Sequence, residues 1–291
     1  MCPVCHGPLE WGDSLGCEGC VGDYPIVDGI PILLPRASRD DPGKREQAEH
    51  HDAEADPDYE VRRPHGTPAA FGWMLAEKLR RSAIGLEHLI PGSTVVTLCG
   101  GSGMDAESLA RAGARTIVAD ISLGAARRAR ERGRRYGLDI ASVVADAEHL
   151  PLADRSVDIA YVHDGLHHLA DPLAGVDEMA RVARTAVSVN EPARARLTAA
   201  AIRGGLAFEV EEAGNEIGRM DLEAVVGRLR SLGYRATDAH RYGMYHGHVA
   251  GGVARFLSRR RLIGPSKAAL LLANRRAGRL GNKLTVKAVR T

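Results

Sequence analysis

The sequence predicts an α/β protein that holds a nucleoside-containing cofactor at the carboxyl edge of a parallel sheet. Two stretches predict it. Thr94-Val95-Val96-Thr97-Leu98 runs into Cys99-Gly100-Gly101-Ser102-Gly103-Met104, and Thr116-Ile117-Val118-Ala119 ends in Asp120. An apolar run, a glycine cluster, a helix and a second apolar run ending in an acid is how doubly wound folds present a ligand site. A third observation, two C-x-x-C pairs near the N-terminus, adds a small metal-stapled module.

Each element has a local reason. Val95 to Leu98 is apolar on both faces, as a buried parallel strand requires. Gly100, Gly101 and Gly103 permit a tight turn and close approach of backbone to ligand. Ala106 to Ala112 reads as a helix whose first N–H groups are free for an acceptor-rich ligand. Asp120 stands at the tip of the next strand, placed to grip two ribose hydroxyls. Ala141 to Ala145 is a third strand and ends in Asp146-Ala147-Glu148. Ser156 to Val162 is a fourth, followed by His163-Asp164-Gly165-Leu166-His167-His168-Leu169. Asp171 before Pro172 reads as a helix N-cap. Glu178 to Val182 ends that helix, Ala186 to Asn190 is a fifth strand, and Asp221 to Leu232 is an amphipathic helix.

This series resembles the class I S-adenosylmethionine-dependent methyltransferases, in particular those acting on small molecules. The likeness covers Phe71 to Pro192 and reaches the C-terminal strand Leu284 to Arg290, and includes the Asp146–Leu152 turn and Leu166-His167-His168-Leu169. It implies a Rossmann-like fold: a mostly parallel seven-stranded sheet with helices on both faces and a C-terminal antiparallel strand. It implies S-adenosylmethionine held by Cys99, Gly101, Gly103, Asp120, Ile121, Asp146, Ala147 and His163. Among these, Gly101 and Gly103 pass beneath the methionine part, Asp120 takes the ribose, Asp146 the adenine amino group, Ala147 lies along the adenine edge and His163 sits near the methyl. The chain departs from the family at two places. Thr97 stands where an acid is usual, and Cys99 where a glycine is usual.

Cys2-Pro3-Val4-Cys5 and Cys17-Glu18-Gly19-Cys20 are two knuckles separated by a short polar loop. Four thiolates at this spacing predict a tetrahedral structural zinc with Cys2, Cys5, Cys17 and Cys20 as ligands, and His6 as a bystander. With Asp23 to Pro35 the stretch resembles the zinc ribbons that partner tRNA and rRNA methyltransferases. The expected organisation is a zinc ribbon over residues 1–36, a linker or cover segment over 37–68 and a cofactor-binding domain over 69–291. Insertions are expected near 193–218 and 246–282. Arg36 to Pro57, polar and carrying Pro42, Gly43 and Pro57, reads as linker; Asp58 to Gly66 reads as a cover over cofactor and substrate.

Composition limits the function classes. Hydrophobic residues make up 44% of the 291, and no apolar run approaches membrane length. Cysteine usage, with no leader before the first knuckle, predicts a cytoplasmic protein. Net charge is +2, yet no Asp or Glu follows Asp238, while Arg255, Arg259, Arg260, Arg261, Lys267, Arg275, Arg276 and Arg279 do. That stretch reads either as an electrostatic footprint for RNA or as two arginine-rich helices, Val253 to Arg261 and Pro265 to Arg276, with apolar faces turned inward. Few aromatics are present to stack bases (Phe 3, Trp 2, Tyr 7), which favours the second reading.

For chemistry, the candidate bases are His167 and His168, beyond the fourth strand, with Glu191 expected to face the acceptor pocket. The alternative for each is structural: a histidine packed on the cofactor, a glutamate paired to an arginine. Tyr242, Tyr245, His246 and His248 are further substrate-site candidates. The function expected is methyl transfer from S-adenosylmethionine to a small or medium-sized acceptor, at oxygen first, in a bacterial biosynthetic pathway. Two other readings stand beside it: an rRNA or tRNA base methyltransferase, and a cofactor-binding protein that activates a partner without transferring methyl.

Overall fold

The computed structural model describes residues 1–194, 219–244 and 251–291. The expected insertion at 193–218 falls almost wholly outside the described residues, as do Tyr245, His246 and His248. The centre of the fold is a seven-stranded sheet. Its strands are β5 (Thr94–Leu98), β6 (Arg115–Asp120), β7 (Ile140–Ala145), β8 (Val157–His163), β9 (Ala183–Pro192), β10 (Tyr234–Tyr242) and β11 (Lys283–Arg290). They lie in the order β7-β6-β5-β8-β9-β11-β10. The first five are parallel, and β11 runs antiparallel between β9 and β10. This is the Rossmann-like methyltransferase arrangement, and the order reverses beside β5, where ligands bind in such sheets.

The N-terminal knuckles belong to a segment of four short strands, β1 (Glu10–Trp11), β2 (Ser14–Cys17), β3 (Gly22–Val27) and β4 (Ile30–Leu33), with Cys17 at the end of β2 and Cys2, Cys5 and Cys20 outside the strands. These strands are joined to the main sheet. β4 pairs in parallel with β7, Ile32 opposite Val144 and Leu33 opposite Ala145, so the ladder runs through eleven strands. The β3–β4 hairpin turns on Asp28-Gly29, both at positive φ (53° and 72°), the backbone twist a two-residue hairpin loop requires.

Arg36 to Pro57 is mostly helical: α1 (Arg36–Asp40) and α2 (Pro42–Asp52), followed by α3 (Pro57–Arg62). The linker expectation treated its prolines as breakers. Pro42 and Pro57 instead open helices, behind Asp41 and Asp56, whose carboxylates accept from the amides of Lys44 and Tyr59. The same device begins α7 (Pro172–Val182) behind Asp171. Between them lie α4 (Ala69–Ala83), α5 (Met104–Arg111) and α6 (Leu123–Tyr136), and α2 and α3 both rest on α6. Beyond α7 come α8 (Leu222–Ser231), α9 (Gly251–Leu257) and α10 (Ile263–Ala277). The expectation that the C-terminal helices turn apolar faces inward is corrected for α10: none of its residues is buried, and Leu272 is 48% exposed.

Candidate active site

A cavity of about 690 Å³ opens at the carboxyl edge of the sheet, beside β5. One side is built from the glycine turn. Gly103 takes φ 76° as the cap of α5, and a Cβ there would lie 3.0 Å from that of Ala129 on α6, so only glycine fits both the backbone and the packing. Gly100 is needed for space, because a Cβ would lie 2.7 Å from Thr97 Oγ1. Thr97 itself is buried under the turn at 1% exposure and does not line the cavity. Cys99 does, at φ 48°. Its bulk is accommodated by Gly165, whose added Cβ would come within 2.4 Å of Cys99 Cβ. Burial and the surrounding carboxylates push the Cys99 thiol well up, which keeps it neutral.

Two acids face the same space. Asp120 accepts from Gly101 N at 2.8 Å on one oxygen and Ser122 N at 2.9 Å on the other. One lone pair per oxygen stays available, which fits a pair of neighbouring hydroxyls. Asp146 is more heavily engaged. Glu148 N donates to Oδ1 at 2.9 Å, while Ser38 Oγ and Lys44 Nζ, from the cover helices, each donate to Oδ2 at 2.6 Å. Lys44 also pairs with Glu148 at 2.5 Å. Burial raises the Asp146 carboxyl, but the hydrogen bonds from Lys44 and Ser38 outweigh it and hold it below the usual carboxylate range. Three of its roughly four acceptor positions are filled from within the chain.

The other side of the cavity carries Phe71, Leu75 and Lys78 from α4, with His163, Asp164, His168, Leu169 and Ala170 from the segment after β8. Ile121 and Ala147 line it as well. His163 Nδ1 lies 3.2 Å from Asp105 Oδ1, and its Nε2 has no hydrogen-bond partner among the described residues. Asp164 is held by two cations, Lys78 Nζ at 2.6 Å and Lys283 Nζ at 2.5 Å. Those lysines hold its carboxyl well below the usual range against the opposing effect of burial.

The expectation that Glu191 faces the acceptor pocket is corrected. Glu191 is fully buried behind the cavity wall and accepts from Gly165 N, Leu166 N and His167 Nδ1, each at 2.8 Å. Two backbone amides in a tight 3-10 turn had no helix partner, and this carboxylate supplies one. His167 is turned toward Glu191, buried, and does not line the cavity; its ring lies 4.0 Å from that of His168, which does. Tyr242 is buried and donates to Asn190 Oδ1 at 2.8 Å, away from the cavity lining.

Sequence reasoning passed over Ser38, Lys44, Lys78, Asp105, Asp164 and Arg132; Glu60, which lines the cavity, falls within the segment it read as a cover. Arg132 is fully buried and ties the glycine turn to the cover. It donates to Ser102 O at 2.8 Å, Arg63 O at 2.7 Å and Glu107 Oε2 at 2.6 Å, and also to Glu60 O. The Asp-Pro pairs before α2 and α3 were the available signal that these cover residues belong to ordered helices.

At the far end of the sheet the four N-terminal sulfurs lie within 4.8 Å of one another, with Cys2–Cys20 and Cys5–Cys17 Sγ separations of 3.4 Å. A tetrahedral Zn–S₄ site has sulfurs about 3.8 Å apart, so the cluster fits zinc with a small expansion. Burial opposes ionisation of Cys2, yet hydrogen bonds from the Tyr24 hydroxyl and the Cys5 and Val4 amides bring it down to about 6. Cys5 is raised, and the hydrogen bond shared with Cys2 pushes Cys20 up to about 12, so without a metal the cluster's thiols share the proton burden unequally.

Residues 97–187 match a family model described as a methyltransferase domain. A demethylmenaquinone methyltransferase of Corynebacterium urealyticum is 40% identical over 96 residues, 33% of this chain and 39% of that protein. One from Mycobacterium sp. strain KMS is 36% identical over 105 residues, 36% and 43% of the two chains. The chain thus spans about two fifths of the curated relatives it matches. Among solved structures, magnesium protoporphyrin IX methyltransferase from Synechocystis PCC 6803 with bound SAH superposes with a TM-score of 0.59 at 15% identity. It covers 85% of this chain and 100% of that one. A putative methyltransferase from Bacillus halodurans gives 0.51 at 17% identity, covering 74% and 97%. These likenesses establish the fold. No helix among the described residues is long and apolar enough to cross a membrane.

Proposed function

We propose that this protein transfers a methyl group from S-adenosylmethionine to a small or medium-sized acceptor bearing an acidic hydroxyl, with oxygen the first-choice methyl acceptor. The observation that carries the reading is the two-sided cavity. Its sheet edge offers the glycine turn, Asp120 and one open acceptor position on Asp146; its opposite wall offers apolar side chains and a buried charged group. Gly101, Gly103, Asp120, Ile121, Asp146 and Ala147 would hold the cofactor, with Cys99 and His163 alongside. The cofactor supplies an electrophilic methyl on a positively charged sulfur; the protein's work is alignment and exclusion of water. The name of the relatives, demethylmenaquinone methyltransferase, supports a small-molecule acceptor and points to a quinone-related one. The four cysteines would hold a structural zinc, since all four positions are filled by protein.

Calorimetry with S-adenosylmethionine and its demethylated product tests this directly. Micromolar binding is expected, weakened at least ~10-fold in Asp120→Ala, the loss of two charge-assisted hydrogen bonds. No binding of either compound sinks the reading. A protein that bound the cofactor but methylated RNA in preference to hydroxylated small molecules would shift it to the base-methyltransferase alternative, which the acid-free arginine stretch after Asp238 motivates.

A further inference from the structure

Asp164 stands just beyond the tip of β8 with φ 54°, a left-handed turn conformation that aspartate adopts more readily than most residues. Its two oxygens are taken by lysines from opposite ends of the chain, Lys78 on α4 and Lys283 on β11. Lys78 is 2% exposed and Lys283 8%. Taking such charges out of water costs several kcal/mol per ion, and an apolar side chain would fill the same space at less cost. Desolvated charge in a cavity wall marks a site kept for chemistry.

The place of Lys78 is as informative as its burial. Phe71, Leu75 and Lys78 recur at i, i+4 and i+7 on α4 and all line the cavity, so one helix face presents an apolar shelf ending in an amine. Among the described residues, Asp164 binds both ammonium groups, and Asp105 lies against His163. Burial pushes Lys78 down to about 8, against the pull of Asp164 and Asp105 and with help from Lys283, so charged and neutral forms are both accessible near neutral pH. The buried His163 Nε2, 3.8 Å from the Asp164 oxygen that holds Lys78, adds an unfilled polar position to the same corner.

We propose that Lys78 is the catalytic residue that engages the acceptor, binding the acidic hydroxyl of a phenol or enol whose ring rests on Phe71 and Leu75. The step is a proton transfer: the acceptor O–H bond breaks, the proton joins the lone pair of neutral Nζ, and the electron pair stays on oxygen. The new ammonium, anchored by Asp164, then holds that oxyanion by a charge-assisted hydrogen bond. Lys283 keeps Asp164 ionised, and so positions Lys78. This assignment rests on the methyl-transfer reading for the fate of the acceptor, but its test does not need turnover.

The probe is 4-nitrophenol, whose ionised form has its own absorption band, titrated with the full chain in the presence and absence of the demethylated cofactor. Bound to the wild type, its apparent pKa should fall by about one unit or more, as an opposite charge within contact produces. Lys78→Met should abolish that fall and weaken probe binding at least tenfold, while calorimetric affinity for the demethylated cofactor stays within twofold. Lys78→Arg should keep the bound probe ionised. A wild-type complex in which the probe keeps its free pKa overturns the proposal, and that measurement needs no variant to fold. So does a folded Lys78→Met protein that binds and ionises the probe like the wild type. Loss of cofactor binding in the wild type would instead strike the methyl-transfer reading and leave the probe titration to be judged separately.

Discussion

Replacing Arg132 by methionine should loosen the glycine turn and the cover segment together. The guanidinium is fully buried, and methionine fills much of the stem's volume but donates nothing. Two of its acceptors sit in buried surroundings, Ser102 O and Glu107 Oε2. Each buried acceptor left unmade costs about 1–3 kcal/mol. His65 and Arg111 both contact the other oxygen, Oε1, at 2.8 Å, so they still offset the carboxylate charge but leave Oε2 without its donor. The carbonyls of Arg63 and Glu60 are only partly buried and regain water. The sum is a loss of about 3 kcal/mol, or roughly 5–10 °C in melting temperature for a chain of this size. Urea denaturation followed by circular dichroism measures it, and limited proteolysis within 37–68 should accelerate in the same variant. Arg132→Lys should recover little, because one ammonium cannot reach acceptors spread around a planar fork. A loss under about 1 kcal/mol, with lysine and methionine indistinguishable, would refute the idea that this side chain fastens cover to turn.

Four further outcomes follow from the geometry. Stripping metal from the cysteine cluster with a chelator, or Cys17→Ser, should release hydrogen-exchange protection in β2 and β3 first and in the β4–β7 pairing next, since β4 is the only described strand bridging the two; unchanged exchange there would count against a metal staple. Asp146 is held below its ordinary value, so its contribution is present above the unfolded carboxylate range near ~4 and is lost as pH falls through the lower folded value; Asp146→Asn should flatten the acid limb of stability against pH. Burial lowers Lys44, but its hydrogen bonds to Asp146 and Glu148 outweigh that and raise it above its ordinary value, so its contribution persists below ~10.5 and disappears only at higher pH; Lys44→Ala should lower stability at neutral pH while leaving Ser38 on Asp146 Oδ2, and cofactor affinity measured alongside shows whether the one acceptor position it opens there is used. Glu191→Gln should cost about 1–2 kcal/mol through the turn over Gly165 and Leu166 while leaving the pH dependence of methyl transfer in place; a displaced pH profile would restore Glu191 as a group acting on the acceptor.

How much was legible in the chain differs by element. The strands of the central sheet could be found because a strand buried on both faces writes its environment into successive residues, as Val95 to Leu98 and Ile159 to Val162 do. The glycine turn and the cysteine knuckles are equally local, with their geometry fixed within a few residues. The cover helices were legible in principle, since Asp41-Pro42 and Asp56-Pro57 repeat the cap recognised at Asp171-Pro172. They were passed over because proline marks both the end of one element and the start of the next.

What the sequence by itself determined is the succession of strands and helices from β5 to β9, the cofactor-type turn with Asp120 beside it, and a four-sulfur cluster. Only the tertiary structure decided which polar groups meet. Lys44 reaches Asp146 across 102 residues, Lys78 and Lys283 converge on Asp164 across 86 and 119, and Glu191 turns inward to a pair of amides instead of outward to an acceptor. The physical reason is range. Hydrophobic periodicity and backbone conformation are set by neighbours along the chain, whereas the charge state and partner of a carboxylate or amine are set by whatever packing brings within a few ångströms and by how much water that packing removes.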